Sequence, residues 1–110
     1  MLVNRAAVGA FAAKRRFPRV RGPFDGRREG SLPGPVTIYD LSVGGCLVQA
    51  FHDEPTGRRL MLYIDLPIEG WIRLEAQSLY IREGYGFAVH FVEMHAATRG
   101  RLERAIEQLR

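Results

Sequence analysis

A chain of 110 residues forms one domain, large enough for a modest core without disulfide support. Its single cysteine excludes an internal bridge and no Cys/His spacing suggests zinc, so a reducing cytoplasm is the expected compartment. The net charge of +4 is uneven: residues 1–30 carry eight Lys/Arg against two acidic residues, leaving the remainder at −2. A local basic cluster on a slightly acidic body favours a small anionic ligand over a nucleic acid polymer, whose binders spread charge over a broad face.

Residues 1–13 read as a flexible N-terminal tail and residues 14–110 as the folded domain. The apolar run Ala6–Ala13 falls far short of the roughly 20 residues of a membrane span and lacks the bulky core of a signal peptide. Lys14-Arg15-Arg16-Phe17-Pro18-Arg19 packs four cations into six residues. Pro18 fixes its own φ and pushes Phe17 toward an extended shape, so a basic extended arm is expected here. Val20–Arg28, broken by Gly22, Pro23 and Gly26, is predicted to be irregular or an edge strand, anchored by Phe24. Glu29–Pro35, with two prolines and two glycines, reads as loop.

Alternation then takes over. Val36–Leu41 is a predicted strand with Val36 and Ile38 on one face and Asp40 as an extension of it. Gly44-Gly45 turns the chain, and Cys46–Phe51 returns as its hairpin partner. After a loop at His52–Gly57, Arg58–Leu66 places Leu60, Leu62 and Ile64 on one face. Trp71–Arg82 is the longest predicted strand, with Ile72, Leu74 and Ala76 alternating inward. Its pattern slips beyond Gln77, where Leu79 and Ile81 fall out of register, which predicts a bulge near Ser78. Tyr85–Phe91 follows, with Phe87, Val89 and Phe91 on one face, and Trp71 is expected to pack at a barrel end.

Leu102, Ala105, Ile106 and Leu109 then recur at helical spacing. Thr98 is the expected N-cap of that helix, with Gly100 weakening its first turn. Closely spaced strands ending in one amphipathic helix predict a mostly β fold: a small six-stranded antiparallel barrel with one C-terminal helix.

Two stretches carry the chemistry. Arg15 and Arg19 lie four residues apart in the arm, with Arg16 between them and Lys14 and Arg21 as electrostatic helpers. Guanidinium forks suit phosphates and the O6/N7 edge of guanine, and they stack on base faces. Asp40-Leu41-Ser42-Val43-Gly44-Gly45 offers a carboxylate, a hydroxyl and two glycines that let a backbone approach a ligand closely. An ionised Asp40 accepts from guanine N1–H and N2–H2, and Ser42 donates or accepts. Taken alone, the second stretch reads as a turn whose Asp40 and Ser42 bond their own backbone. Beside the arginine pair it reads as half of a pocket for an anionic guanine nucleotide, with Arg15, Arg16, Arg19, Asp40, Ser42, Gly44 and Gly45 as its ligand-binding residues.

Arg15-x-x-x-Arg19 followed by Asp40-x-Ser42-x-x-Gly45 resembles the two-part signature of PilZ domains, over roughly residues 14 to 110. The resemblance implies a six-stranded barrel with a C-terminal helix, cyclic di-GMP as ligand, phosphate and guanine contacts from Arg15 and Arg19, and signalling to an effector protein. No enzyme is expected. Ser42, His52 and Asp53 lack a nucleophile-elbow context, and His90, Glu93 and His95 match no common metal-ligand spacing. Cys46 reads as a small buried apolar residue. Two other readings are a degenerate PilZ-like module that makes only protein–protein contacts, and a small barrel for RNA or single-stranded DNA. The second needs exposed aromatics on the basic face, where the sequence shows only Phe17 amid the cations.

Overall fold

The computed structural model describes residues 17–30 and 32–110. The strands are β1 (Phe24–Glu29), β2 (Gly34–Tyr39), β3 (Gly45–Gln49), β4 (Arg59–Leu66), β5 (Gly70–Arg82) and β6 (Gly86–Phe91), followed by helix α1 (Ala96–Leu109). All pairings are antiparallel, and the sheet closes on itself in the order β1-β2-β3-β6-β5-β4. This is the six-stranded barrel with one terminal helix that the alternation predicts.

Period-2 side chains fill the interior. Leu60, Leu62, Ile64 and Leu66 of β4 face Ile72, Leu74 and Ala76 of β5, with Val36, Ile38, Val48, Phe87 and Val89 completing the ring. Cys46 joins them, and burial pushes its thiol pKa up by desolvation. The register between β5 and β6 shifts between Ser78 and Tyr80, where the sequence pattern slips. The Ser78 hydroxyl turns inward, accepts from Arg58 N–H at 3.2 Å and donates to the Pro55 carbonyl, so the bulge holds the β3–β4 connection.

β1 departs from expectation. It pairs with both β2 and β4 and is not an edge. Phe24 is only partly buried; the inward positions are Gly26 and Arg28. A Cβ on Gly26 would lie 2.9 Å from the Tyr63 carbonyl oxygen and 3.0 Å from Val36, so only glycine fits there without displacing its neighbours. Arg28, 4% exposed, enters the barrel end and donates from Nε to the Leu32 carbonyl (2.7 Å) and from Nη1 to the His52 carbonyl (2.7 Å). It pairs with buried Glu54 at 3.7 Å and lies 5.6 Å from the Phe87 ring centroid. A buried cation is tolerated because its charge and its donors are met.

The helix packs Leu102, Ala105 and Ile106 against the core, with Leu109 partly buried. It begins earlier than predicted: His95 occupies the N-cap without a side-chain cap bond, and Thr98 lies inside the first turn. Glu69, in the β4–β5 turn, receives Arg101 Nε at 3.5 Å and Arg104 Nε at 3.6 Å, which ties α1 to that turn. Trp71 does not pack into the barrel end. It lies on the outer surface at the start of β5, 49% exposed.

Candidate functional site

Residues 40–45 link β2 to β3, and two of them are core anchors: Leu41 is fully buried and Val43 nearly so. Burying these two pins the turn to the barrel, with half-buried Asp40 before them and exposed Gly44 after them. Asp40 takes the left-handed conformation (φ 52), which Asp tolerates better than most residues. Its N–H donates to the Arg21 carbonyl at 3.1 Å, while Val20 and Leu41 exchange two backbone hydrogen bonds of 2.9 Å. The chain leading out of the arm is therefore latched onto this turn.

Ser42 is 5% exposed and faces inward along the turn. Its N–H donates to the Gly45 carbonyl at 2.9 Å, its hydroxyl donates to the same oxygen at 3.4 Å, and Gly44 N–H donates to Ser42 Oγ at 3.1 Å. The hydroxyl thus shapes the turn, as the backbone-bonding reading of this stretch has it. Gly45 has no positive φ; its glycine is required by close approach. A Cβ there would collide with the Val89 carbonyl oxygen and sit 3.0 Å from His90 Cα. Gly44 is exposed, with the Phe17 ring and Ser42 Oγ each 3.7 Å from where a Cβ would stand.

Arg19, Asp40, Ser42, Gly44 and Gly45 line one cleft of about 190 Å³ on the outside of the barrel. Leu47, Ala88 and His90 on β3 and β6 form its floor, and Tyr80 and Arg82 beyond the β5 bulge line its far side. Phe17, 40% exposed, lines both this cleft and a groove beside Val43, Phe91, Met94 and Arg99 at the start of α1. Among the described residues neither Arg19 nor Asp40 has a side-chain hydrogen bond or ion pair. Arg82 lies 5.0 Å over the Tyr85 ring. Lys14, Arg15, Arg16 and the predicted tail, residues 1–13, lie outside the described residues.

Tyr80, Arg82 and His90 are cleft residues that sequence reasoning missed. β5 carries the only available signal. The bulge reverses which side chains face outward, so residues beyond Ser78 belong to the outer face shared with β6. The bulge is visible in the sequence; the pairing of β6 with β5 on one side and β3 on the other, which brings these residues to one cleft, is not. Among the described residues no helix is long and apolar enough to cross a membrane, and no group of His, Cys, Asp and Glu is placed to hold a metal ion.

A closed six-stranded barrel with one terminal helix, whose outer wall carries a cleft lined by Arg19 and an Asp-x-Ser-x-x-Gly turn, defines a class of small β-barrel domain. Residues 13–108 match the PilZ domain family, and the chain belongs to it. Solved structures share the fold. The Bacillus subtilis inhibitor of motility MotI/DgrA superposes with a TM-score of 0.71 at 23% identity, covering 86% of this chain and 50% of that one. The PilZ domain of Escherichia coli YcgR with c-di-GMP gives a TM-score of 0.68 at 18% identity, covering 87% and 91%. Escherichia coli YcgR in complex with c-di-GMP gives 0.73 at 22%, covering 87% and 46%. The chain thus spans about half the length of MotI/DgrA and of the longer YcgR chain. A comparison with curated proteins found none that matches.

Proposed function

We propose that this protein is a cyclic di-GMP receptor that acts in the cytoplasm as a binding module and relays the ligand's presence to an effector protein. The reading rests on one observation: Arg19, from the arm, and the Asp40–Gly45 turn line the same cleft. Solved PilZ structures of the same fold that hold c-di-GMP support it.

In this reading Arg15 and Arg19, with Arg16 beside them, bind the phosphates and the O6/N7 edge of guanine. Asp40 accepts from guanine N1–H and N2–H2, and Gly44 and Gly45 let the backbone close on the ligand. Ser42 contributes mainly by holding the turn, because its hydroxyl proton already goes to Gly45. The ligand's phosphates draw the arm over the cleft, and arm, nucleotide and barrel rim together form the surface the effector reads. Closure lowers the net affinity by the entropy of ordering the chain.

Calorimetric titration with cyclic di-GMP, cyclic di-AMP and GTP tests the assignment. Saturable binding of the first and much weaker binding of the other two is expected, with wrong-base penalties of about 1–3 kcal/mol per contact. Equal affinity for the guanine and adenine dinucleotides would sink the base-reading roles of Arg15, Arg19 and Asp40. Hydrogen exchange across residues 12–22, with and without ligand, tests closure of the arm; equal protection in both states rejects it.

One observation favours the single-strand reading more than the sequence does. Tyr80, 53% exposed, lines the cleft beside Arg82, so an aromatic face and a cation border it together. An oligonucleotide control at two salt concentrations separates the readings, because polymer binding falls steeply with salt.

A further inference from the structure

The polar side chains lining the cleft include two guanidinium groups, one carboxylate and the Tyr80 phenol, which donates or accepts. Arg19 and Arg82 contribute guanidinium groups, and the Ser42 hydroxyl is engaged with its own turn. Asp40 is the obvious side-chain acceptor. His90 lies on the floor of the same cleft, directly across from Gly45 in the β3–β6 ladder, and belongs to neither half of the sequence signature.

Its ring is oriented by a relay. His90 Nε2 is 3.1 Å from Gln77 Oε1, and Gln77 Nε2 donates to the Gly57 carbonyl at 2.9 Å. A carbonyl oxygen can only accept, so the Gln77 amide turns its nitrogen to Gly57 and its oxygen to His90. That oxygen also only accepts, so His90 Nε2 carries the ring hydrogen. In the neutral imidazole, Nδ1 is then the bare acceptor. The backbone fixes where the ring stands: Phe91 N–H donates to the Gly44 carbonyl at 2.9 Å, and Gly45 abuts the β6 backbone at His90.

We propose that His90 Nδ1 is a second ligand-reading acceptor of the cleft. Together with Asp40 it takes an edge that presents two adjacent N–H donors, as guanine does with N1–H and N2–H2. Gln77 is its positioning residue, acting through the tautomer. The inference rests on the cyclic di-GMP reading above and adds to it a residue that selects the guanine edge.

The test uses the full chain and cyclic di-GMP, with wild type, His90→Leu, His90→Asn and Gln77→Leu compared by calorimetry. His90→Leu is expected to bind about three- to ten-fold more weakly, the effect of one lost hydrogen bond. His90→Asn keeps a short polar acceptor near the position of Nδ1 and should recover most of the loss. Imidazole nitrogen NMR supplies a readout that a merely structural role would not move. The free protein should show the Nε2–H tautomer, cyclic di-GMP should shift the Nδ1 resonance, and Gln77→Leu should mix the tautomers.

Wild-type affinity in His90→Leu at an unchanged thermal midpoint overturns the inference while leaving the receptor reading intact. A Nδ1–H tautomer in the free protein also overturns it. Absence of cyclic di-GMP binding by the wild type overturns the receptor reading, and the inference with it. If His90→Leu lowers the midpoint, His90→Asn and the Nδ1 shift decide: rescue with a ligand-dependent shift supports the role, and no shift rejects it.

Discussion

Arg28 and Arg19 belong to the same basic N-terminal third and have opposite surroundings. Arg28 is buried at one end of the barrel, where two backbone carbonyls, Glu54 and the Phe87 ring surround it. Arg19 is exposed on the cleft, and among the described residues its guanidinium has no hydrogen bond or ion pair. A cation bonded within the fold serves stability; one exposed at a rim stands within a ligand's reach. The sequence does not distinguish them, because both stand among arginines. Burial does.

Removing Arg28 should have the largest effect. Arg28→Ala leaves Glu54 buried without its partner and frees the segments held at Leu32 and His52, so a loss of about 3–5 kcal/mol is expected in denaturant unfolding. Adding Glu54→Gln should restore part of it, and strict additivity of the two changes would show that the pair is not coupled. Next come the adjacent glycines. Gly45→Ala forces β3 away from β6 and should lower stability by about 1–3 kcal/mol, with ligand binding falling alongside. Gly44→Ala meets the Phe17 ring and Ser42 Oγ, both at an ordinary 3.7 Å, and should leave the fold intact. Equal damage from both would mean that the turn tolerates no side chain for some reason other than the contact with β6.

Arg19→Ala sharpens the contrast from the other side. The apo unfolding midpoint should move within the roughly 0.5 kcal/mol of an ordinary surface change, while cyclic di-GMP binding weakens by about 1.5–3 kcal/mol, the range for a hydrogen bond to a charged group. A large apo destabilisation would put Arg19 in Arg28's category. The smallest change concerns the helix. Gly100→Ala in α1 meets only the flexible end of Arg104, at 3.4 Å, and should stabilise the protein by about 0.5–1 kcal/mol without altering binding.

What was legible in the sequence follows the same division. Strands β2, β4, β5 and β6 announce themselves because their inward positions are Val, Ile, Leu and Phe. β1 does not, because its inward positions are a glycine and an arginine, which alternation counts as a break. The start of α1 was misplaced because Thr98 has the right chemistry for a cap, whereas the cap position is taken by His95 with no side-chain bond. The Asp40–Gly45 turn could be found from its residues, although what its Gly45 approaches closely, the β6 backbone at Val89 and His90, shows only in the fold. His90, Tyr80 and Arg82 come to the cleft through cross-strand pairing and a bulge, and no local spacing encodes that.

Barrel closure bears on how a partner can read this protein. Each strand has a hydrogen-bonded neighbour on both sides over much of its length. Among the described residues the unpaired backbone is therefore confined to strand ends, such as β5 beyond Ser78, which pairs with β6 alone. Recognition by β-augmentation is left only short strand ends, and the same closure removes a long template for edge-to-edge aggregation. Under the proposed receptor reading, a partner distinguishes the liganded form mainly through side chains and the nucleotide, on the curved outer wall where the cleft lies.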